Sequence, residues 1–236
     1  MKLACTSSAF AGALDRGDLT QLEVLDHAAR ELSVDGIALD VRHFPRTDDD
    51  YLAQVKKMAT DLGLTIAAVE SADFFTGDTA TAQRVLAIAV AVGSPLIAAP
   101  LGSETALAWS AQLAKLSDAT GLAKAANVTL ALRNAPATFA ASVHDCKRVS
   151  KETDSAWLRY GIEPEAFDAA STPVELAERT VLLWADALSE PEALLAAWRS
   201  YLGFIVLAGN APVVEMTNAI RRWRIAQAQF VALDRK

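Results

Sequence analysis

The chain is expected to fold as one α/β domain, a single (β/α)8 barrel spanning residues 1–236. Three observations point there. Short apolar runs alternate with helix-like segments over the whole length, which implies βαβ units around a parallel sheet. No Gly-rich phosphate fingerprint follows any of the runs, which weighs against an open dinucleotide-binding sheet built from the same alternation. The 236 residues, 52% of them hydrophobic, supply one large core of ordinary size for such a barrel.

The elements follow in order. Strand 1 covers about Lys2 to Thr6. The helix after it carries Leu19, Leu22, Val24, Leu25, Ala28, Ala29 and Leu32 at helical spacing, with Asp18 or Thr20 as its N-cap. Strand 2 starts at Gly36 and includes Ile37 to Val41. Thr47 and the acids Asp48, Asp49 and Asp50 open the next helix, where the macrodipole favours negative charge, and Gly63 ends it. Strand 3 begins at Leu64. Helix 3 runs from about Asp78 to Val92, Gly93-Ser94-Pro95 breaks it, and strand 4 is Leu96 to Pro100. Helix 4 covers about Ser110 to Ala126 and Asn127 caps it. Strand 5 is Val128 to Asn134, helix 5 Phe139 to Lys151, and strand 6 Trp157 to Glu163. A shorter helical stretch from Pro164 to Glu178 leads to strand 7, Thr180 to Asp186. Pro191 starts helix 7, a position that tolerates proline. Strand 8, Gly203 to Asn210, and a helix from about Val213 to Leu233 complete the set.

Charge and cysteine content limit the function classes. A net charge of -7 and a pI near 5.0 argue against nucleic acid as a partner, because phosphate neutralisation needs concentrated Lys and Arg. The basic run Arg221 to Arg224 reads as one face of the last helix. Cys5 and Cys146 have neither a zinc spacing nor a disulfide pattern, so the expected compartment is the reducing cytoplasm. Leu3-Ala4-Cys5 has only two residues before it and lacks the apolar stretch of a secretory signal. The run Val85 to Pro100 is broken by Gly93 and Pro95 and reads as helix, turn and strand, so no membrane partner is expected.

Strand alternation sorts side chains between the lumen and the surrounding helices. In strand 5, Val128, Leu130 and Leu132 are expected outward, leaving Thr129, Ala131 and Arg133 inward. In strand 2, Ile37, Leu39 and Val41 go outward, with Ala38, Asp40 and Arg42 inward. Strand 6 puts Leu158, Tyr160 and Ile162 outward and turns Arg159 and Glu163 inward. Strand 7 puts Val181 and Leu183 outward, and Leu182, Trp184 and Asp186 toward the lumen or its mouth. Barrel active sites lie at the C-terminal strand ends, so Arg42, Arg133, Glu163 and Asp186 are expected to converge there. In strand 3 the small residues allow either parity, so Glu70 is a weaker candidate.

With GIALDVRH after helix 1, DLGLTIAAV before the third loop, ANVTLALRN in strand 5 and GFIVLAG in strand 8, the chain resembles the xylose isomerase-like TIM barrels along essentially its whole length. That group includes sugar phosphate isomerases and epimerases and the endonuclease IV type of DNA-repair enzyme. The resemblance implies a metal site formed by a strand 5 Glu, a strand 6 Asp, a strand 7 His and a strand 8 Glu. Those places hold Arg133, Glu163 (the only match for the Asp), Trp184 and Ala208. One carboxylate cannot hold a divalent ion, and a fixed guanidinium repels one, so no metal and no other cofactor is expected.

Arg133 has two readings: a donor fork for a carboxylate or phosphate, or half of an internal ion pair with Glu163. The catalytic candidates are Glu163 and Glu70, and the ligand-binding candidates are Arg42, Arg133, Asn134, Asp186 and Trp184, the last also filling lumen space. His43 is turned away from the lumen by the register, and His27 and His144 fall within helices. Asp73-Phe74-Phe75 reads either as a rim loop that stacks on a ligand or as two Phe buried against the barrel top. Ser7 and Ser8 end strand 1 without a nucleophilic triad around them.

The resemblance implies an isomerase- or epimerase-like barrel with a degenerate metal site. It would move a proton on, or bind, a small anionic or carbohydrate-like ligand. In the enzymatic version Glu163 or Glu70 takes a proton next to a carbonyl, while Arg133 and Arg42 hold the negative charge that develops. The alternative is a catalytically inactive barrel that serves as a protein-interaction or ligand-binding scaffold, and DNA repair fits the acidic charge poorly.

Overall fold

Eight parallel strands close into a barrel in chain order in the computed structural model, which describes residues 1–234. They are β1 (Lys2–Thr6), β2 (Gly36–Asp40), β3 (Thr65–Glu70), β4 (Leu96–Pro100), β5 (Thr129–Arg133), β6 (Leu158–Ile162), β7 (Thr180–Asp186) and β8 (Phe204–Ala208), with β8 pairing back onto β1. Around them lie α1 (Ala11–Arg16), α2 (Gln21–Arg30), α3 (Asp49–Asp61), α4 (Thr79–Val92), α5 (Trp109–Ala126), α6 (Val143–Thr153), α7 (Pro191–Ala197) and α8 (Val213–Asp234).

Local chemistry sets most helix ends. Thr20 and Glu23 form a reciprocal capping box on α2, and Asp48 and Asp78 cap α3 and α4 through their side chains. Gly93 ends α4 at φ 80°, a left-handed conformation that glycine adopts without steric cost. Three expectations change. The loop after β1 forms the extra short helix α1. The helix after β5 starts at Val143 rather than Phe139, because Ser142 and Asp145 make its capping box while Phe139 is buried in the preceding loop. Between β6 and β7 there is no α-helix, only 3-10 turns at Pro164–Ala166 and Pro173–Arg179. Pro173 lacks an N–H and disfavours a helical residue before it, so one continuous helix cannot run through the segment.

The core has two layers. Leu, Ile and Val on the outer strand faces pack against the helices, as Leu39, Leu130 and Ile162 do. The lumen is lined by Ala4, Ala38, Ala67, Ala68, Ala98 and Ala131 from β1 to β5 and filled by Leu182, Trp184 and Val206 from β7 and β8. Two irregularities break the alternation. The β2–β3 register shifts so that Ala67 and Ala68 both face the lumen. The β6–β7 register shifts between Tyr160 and Gly161, which puts Val181 against the lumen cluster beside Leu182 and corrects its expected outward position. Gly161 faces Trp184 so closely that a Cβ there would lie 2.7 Å from Trp184 Cζ3.

The basic run in α8 is a packing face. Arg221 pairs with Glu31, Arg222 donates to the carbonyls of Leu188 and Ser189, Trp223 is buried, and Arg224 pairs with Asp35. No helix among the described residues is long and apolar enough to cross a membrane.

Candidate active site at the barrel mouth

The C-terminal ends of five strands bring a polar cluster to the floor and wall of one open cavity of about 460 Å³. Arg133, the last residue of β5, sits at its centre. Its Nη2 donates to Glu163 Oε2 at 2.9 Å and its Nη1 to Glu70 Oε2 at 3.3 Å. Its guanidinium carbon lies 4.9 Å from the centre of the Trp184 ring. The expected Arg133–Glu163 pair therefore exists but is one side of a three-residue bridge, and the other side is Glu70.

The two carboxylates differ in surroundings. Glu163 stands at the rim with about a third of its side chain exposed, and its backbone is fixed by the buried Asn134, whose amide donates to Glu163 O at 3.0 Å and accepts from Glu163 N at 2.7 Å. Glu70 is buried, accepts from the Thr6 hydroxyl, and lies on the same cavity. Burial pushes its carboxyl above the ordinary value, and the Arg133 charge and the Thr6 hydrogen bond offset this only in part.

A second group adjoins the first on β1 and β2. Asp40 accepts from Ser8 Oγ at 3.1 Å and from Arg42 Nη2 at 2.6 Å. Burial pushes Asp40 up, but the hydrogen bonds and charge of Arg42 outweigh it and hold the carboxyl below its usual range. Arg42 lines the cavity from the rim, its side chain 69% exposed. His43 accepts or donates through Nδ1 to Ser7 Oγ at 2.9 Å, and it lies outside the residues that line the cavity.

The sequence candidates thus divide. Arg42, Glu70, Arg133, Asn134 and Glu163 share the cavity, and two do not. Asp186 is exposed and turned to its own loop, where it accepts from Leu188 N at 2.9 Å. Trp184 is 1% exposed and lies beneath Arg133, inside the lumen. Its Nε1 is buried with no hydrogen-bond partner among the described residues. Phe74 and Phe75 are buried in the outer core, so the loop packs rather than covers the mouth. Lys115 and Gln112 of α5 hold that loop through the carbonyls of Thr76, Gly77 and Phe75. Thr6, Ser8 and Asp40 belong to the site without being among the sequence candidates. Their signal was available, since Ala4 and Thr6 share the lumen parity of β1, as Ala38 and Asp40 do in β2. Cys5 and Cys146 are buried with thiols pushed up to about 12, which keeps both unreactive.

The donor set does not fit a divalent cation. Arg133 is itself a cation, the Trp184 indole has no lone pair to give, and Ala208 has no donor atom. Among the described residues no group of three His, Cys, Asp or Glu is arranged to hold a metal ion.

No family model matches the chain, and no curated protein sequence matches it. Solved structures do. A probable 3-DHS dehydratase, AsbF, involved in petrobactin synthesis in Bacillus anthracis, superposes with a TM-score of 0.79 at 12% identity, over 97% of this chain and 99% of that one. An L-ribulose 3-epimerase gives 0.75 at 15%, over 99% and 95%. A xylose isomerase-like TIM barrel/4-hydroxyphenylpyruvate dioxygenase fusion protein gives 0.76 at 13%, over 98% of this chain and 42% of that one. At such identities the likeness shows the fold, a (β/α)8 TIM barrel, as expected from the sequence.

Proposed function

We propose that this chain is a carbohydrate-processing enzyme of the isomerase or epimerase kind that moves a proton next to a carbonyl without a metal. The observation that carries the reading is the Glu70–Arg133–Glu163 bridge at the floor of an open cavity. Glu163, the solvent-facing partner, takes the proton from the carbon beside the substrate carbonyl. The C–H electron pair becomes the enediolate C=C bond, and the carbonyl pair moves onto oxygen, whose negative charge faces Arg133. Glu70, a carboxyl kept neutral more readily by its burial, returns a proton to the opposite face of that carbon or to its neighbour. Returned to the same carbon, as the enediolate oxygen re-forms the carbonyl, it inverts the centre; returned to the neighbour, with the hydroxyl proton passing to the enediolate oxygen and the former hydroxyl oxygen forming the new C=O, it moves the carbonyl. Arg133 supplies the fixed positive charge that a metal supplies in other sites of this kind.

Charge balance bears on the ligand. Asp40, Glu70 and Glu163 face Arg42 and Arg133, so the cluster carries -1 with every group ionised (-3 + 2) and 0 with Glu70 protonated. Both guanidiniums already serve carboxylates. A neutral polyhydroxy carbonyl compound suits this mouth better than the anionic ligand suggested by Arg133 alone, and an acid or phosphate group would have to sit on the exposed edge of Arg42. The scaffold alternative is less favoured, because the mouth above Arg133 is open and Phe74 and Phe75 do not seal it. We assign the activity to the cytoplasm on the two free cysteines.

The test is proton exchange in D2O followed by NMR, with EDTA present, over a panel of ketopentoses, ketohexoses, their phosphates and the corresponding acids. Deuterium should enter at the carbon beside the carbonyl of one neutral sugar, about 10²- to 10⁴-fold more slowly in Glu70→Gln and in Glu163→Gln. Thermal stabilisation without exchange would reduce the reading to a binder. Neither exchange nor stabilisation across the panel would leave the scaffold.

A further inference from the structure

The residue that completes the acid–base site is on β1, where none of the candidates lay. Thr6 is buried, and its Oγ1 accepts from Ser8 N at 3.1 Å while meeting Glu70 Oε1 on its other side. One lone pair is therefore occupied, and the hydroxyl hydrogen and the second lone pair are left for Glu70. The other carboxyl oxygen, Oε2, faces Arg133 Nη1, which can only donate. A proton on Glu70 is consequently placed on Oε1, opposite a hydroxyl able to turn.

We propose that Thr6 is the positioning residue that lets Glu70 hold and release a proton, its hydroxyl donating to the carboxylate and accepting from the carboxylic acid. An amide N–H, a Lys or an Arg at that point would stabilise one protonation state only. The hydroxyl costs neither state its partner, which is what a group that changes protonation in each turnover requires. The charged groups facing Glu70 are Arg133 from β5 and Asp40 and Arg42 from the end of β2, with Glu163 on the far side of the guanidinium. Burial raises the Glu70 carboxyl above its ordinary value, which favours the acid form, and the pairing geometry keeps that form ordered.

This inference rests on the proposed acid role of Glu70, but its test needs no substrate. The Glu70 side-chain carboxyl is titrated by ¹³C NMR in the full chain, with Glu70→Gln identifying the signal. Thr6→Val, which keeps the shape and removes the hydroxyl, takes a charge-assisted hydrogen bond from the carboxylate and only a weaker neutral one from the acid, so the midpoint should rise by about one unit. Thr6→Ser should stay within about 0.3 of wild type. Should Thr6→Val fail to fold, Thr6→Cys, a near-isostere with a weak donor, should move the midpoint in the same direction. A midpoint that stays in place in the folded Val or Cys variant, or that moves equally in Ser, overturns the role of Thr6. A shift as expected, in a protein whose Glu70→Gln variant still exchanges substrate protons at the wild-type rate, keeps the Thr6–Glu70 pairing and removes the proposed reaction instead.

Discussion

The two halves of the barrel mouth differ in chemistry although one alternation rule builds both. β1, β2, β3, β5 and β6 end in Thr6, Asp40, Glu70, Arg133 and Glu163 or lead directly into them; Thr6, Glu70, Arg133 and Glu163 join through hydrogen bonds and ion pairs, while Asp40 pairs with Arg42 and reaches Thr6 through Ser8. β4 ends in Pro100, β8 in Ala208, and Asp186 of β7 serves its own loop. One layer down the asymmetry reverses, with alanines lining the β1–β5 side and Leu182, Trp184 and Val206 supplying the bulk from β7 and β8. Trp184 reaches beneath β5 and β6, against Gly161, and carries the Arg133 guanidinium on its ring. Filling comes from one half and charge from the other, and Arg133 is where they meet. An arginine can stand at the floor of a barrel because its charge is answered twice by carboxylates and its apolar face by an indole.

The comparison breaks most severely at that junction. Arg133→Ala leaves Glu70 buried without its cation and should cost about 3–5 kcal/mol at neutral pH in urea unfolding. Adding Glu70→Gln should restore more of the loss than adding Glu163→Gln, because Glu163 is solvated and Glu70 is not. Equal rescue by the two would mean that the halves are joined through the rim rather than the floor.

Trp184→Ala should cost a similar 3–5 kcal/mol by opening a cavity in the lumen. Trp184→Phe should cost much less, since it keeps most of the volume and removes an indole N–H that is buried without a partner. Gly161→Ala sharpens the same point from the opposite wall. Its Cβ would meet Trp184 Cζ3 at 2.7 Å, and overpacking of this sort costs about 1–3 kcal/mol, measured in the same way.

The pH dependence probes the buried carboxylate, Glu70. Glu70 is held above its ordinary value of 4.5, so the folded chain keeps a proton that the unfolded chain loses above that pH. The Glu70 contribution to stability is flat and fully present below about 4.5 and is lost as pH rises through the folded midpoint. Stability of wild type minus that of Glu70→Gln, followed from acid to neutral pH, should therefore decline upward. A difference that rises instead would put the folded midpoint of Glu70 below its unfolded one. The smallest effects belong to the exposed groups. Arg42→Ala should cost about 0–1 kcal/mol, as a surface pair does, and a larger loss would extend the buried network to β2.

The expected strands and their order correspond to the observed ones because each is a local signal: an apolar run, a cap, a breaking Gly or Pro. Arg133 and Glu163 were legible for the same reason, since period-2 alternation along an unbroken strand turns them inward. Val181 was misplaced because the β6–β7 register shifts within its strand, and the parity of Glu70 was open because Ala67 and Ala68 occupy the lumen together. Alternation counts residues, and a bulge adds one without any mark in side chains that small. Glu70 lies 63 residues from Arg133 and 64 from Thr6. What the amino-acid order determined is which residue types stand at the strand ends. That Glu70 rather than solvent completes the Arg133 bridge, that Asp186 turns away and that Trp184 lies beneath the charge were decided by barrel closure. Closure fixes stagger and register between strands distant in the chain, and no local pattern encodes those.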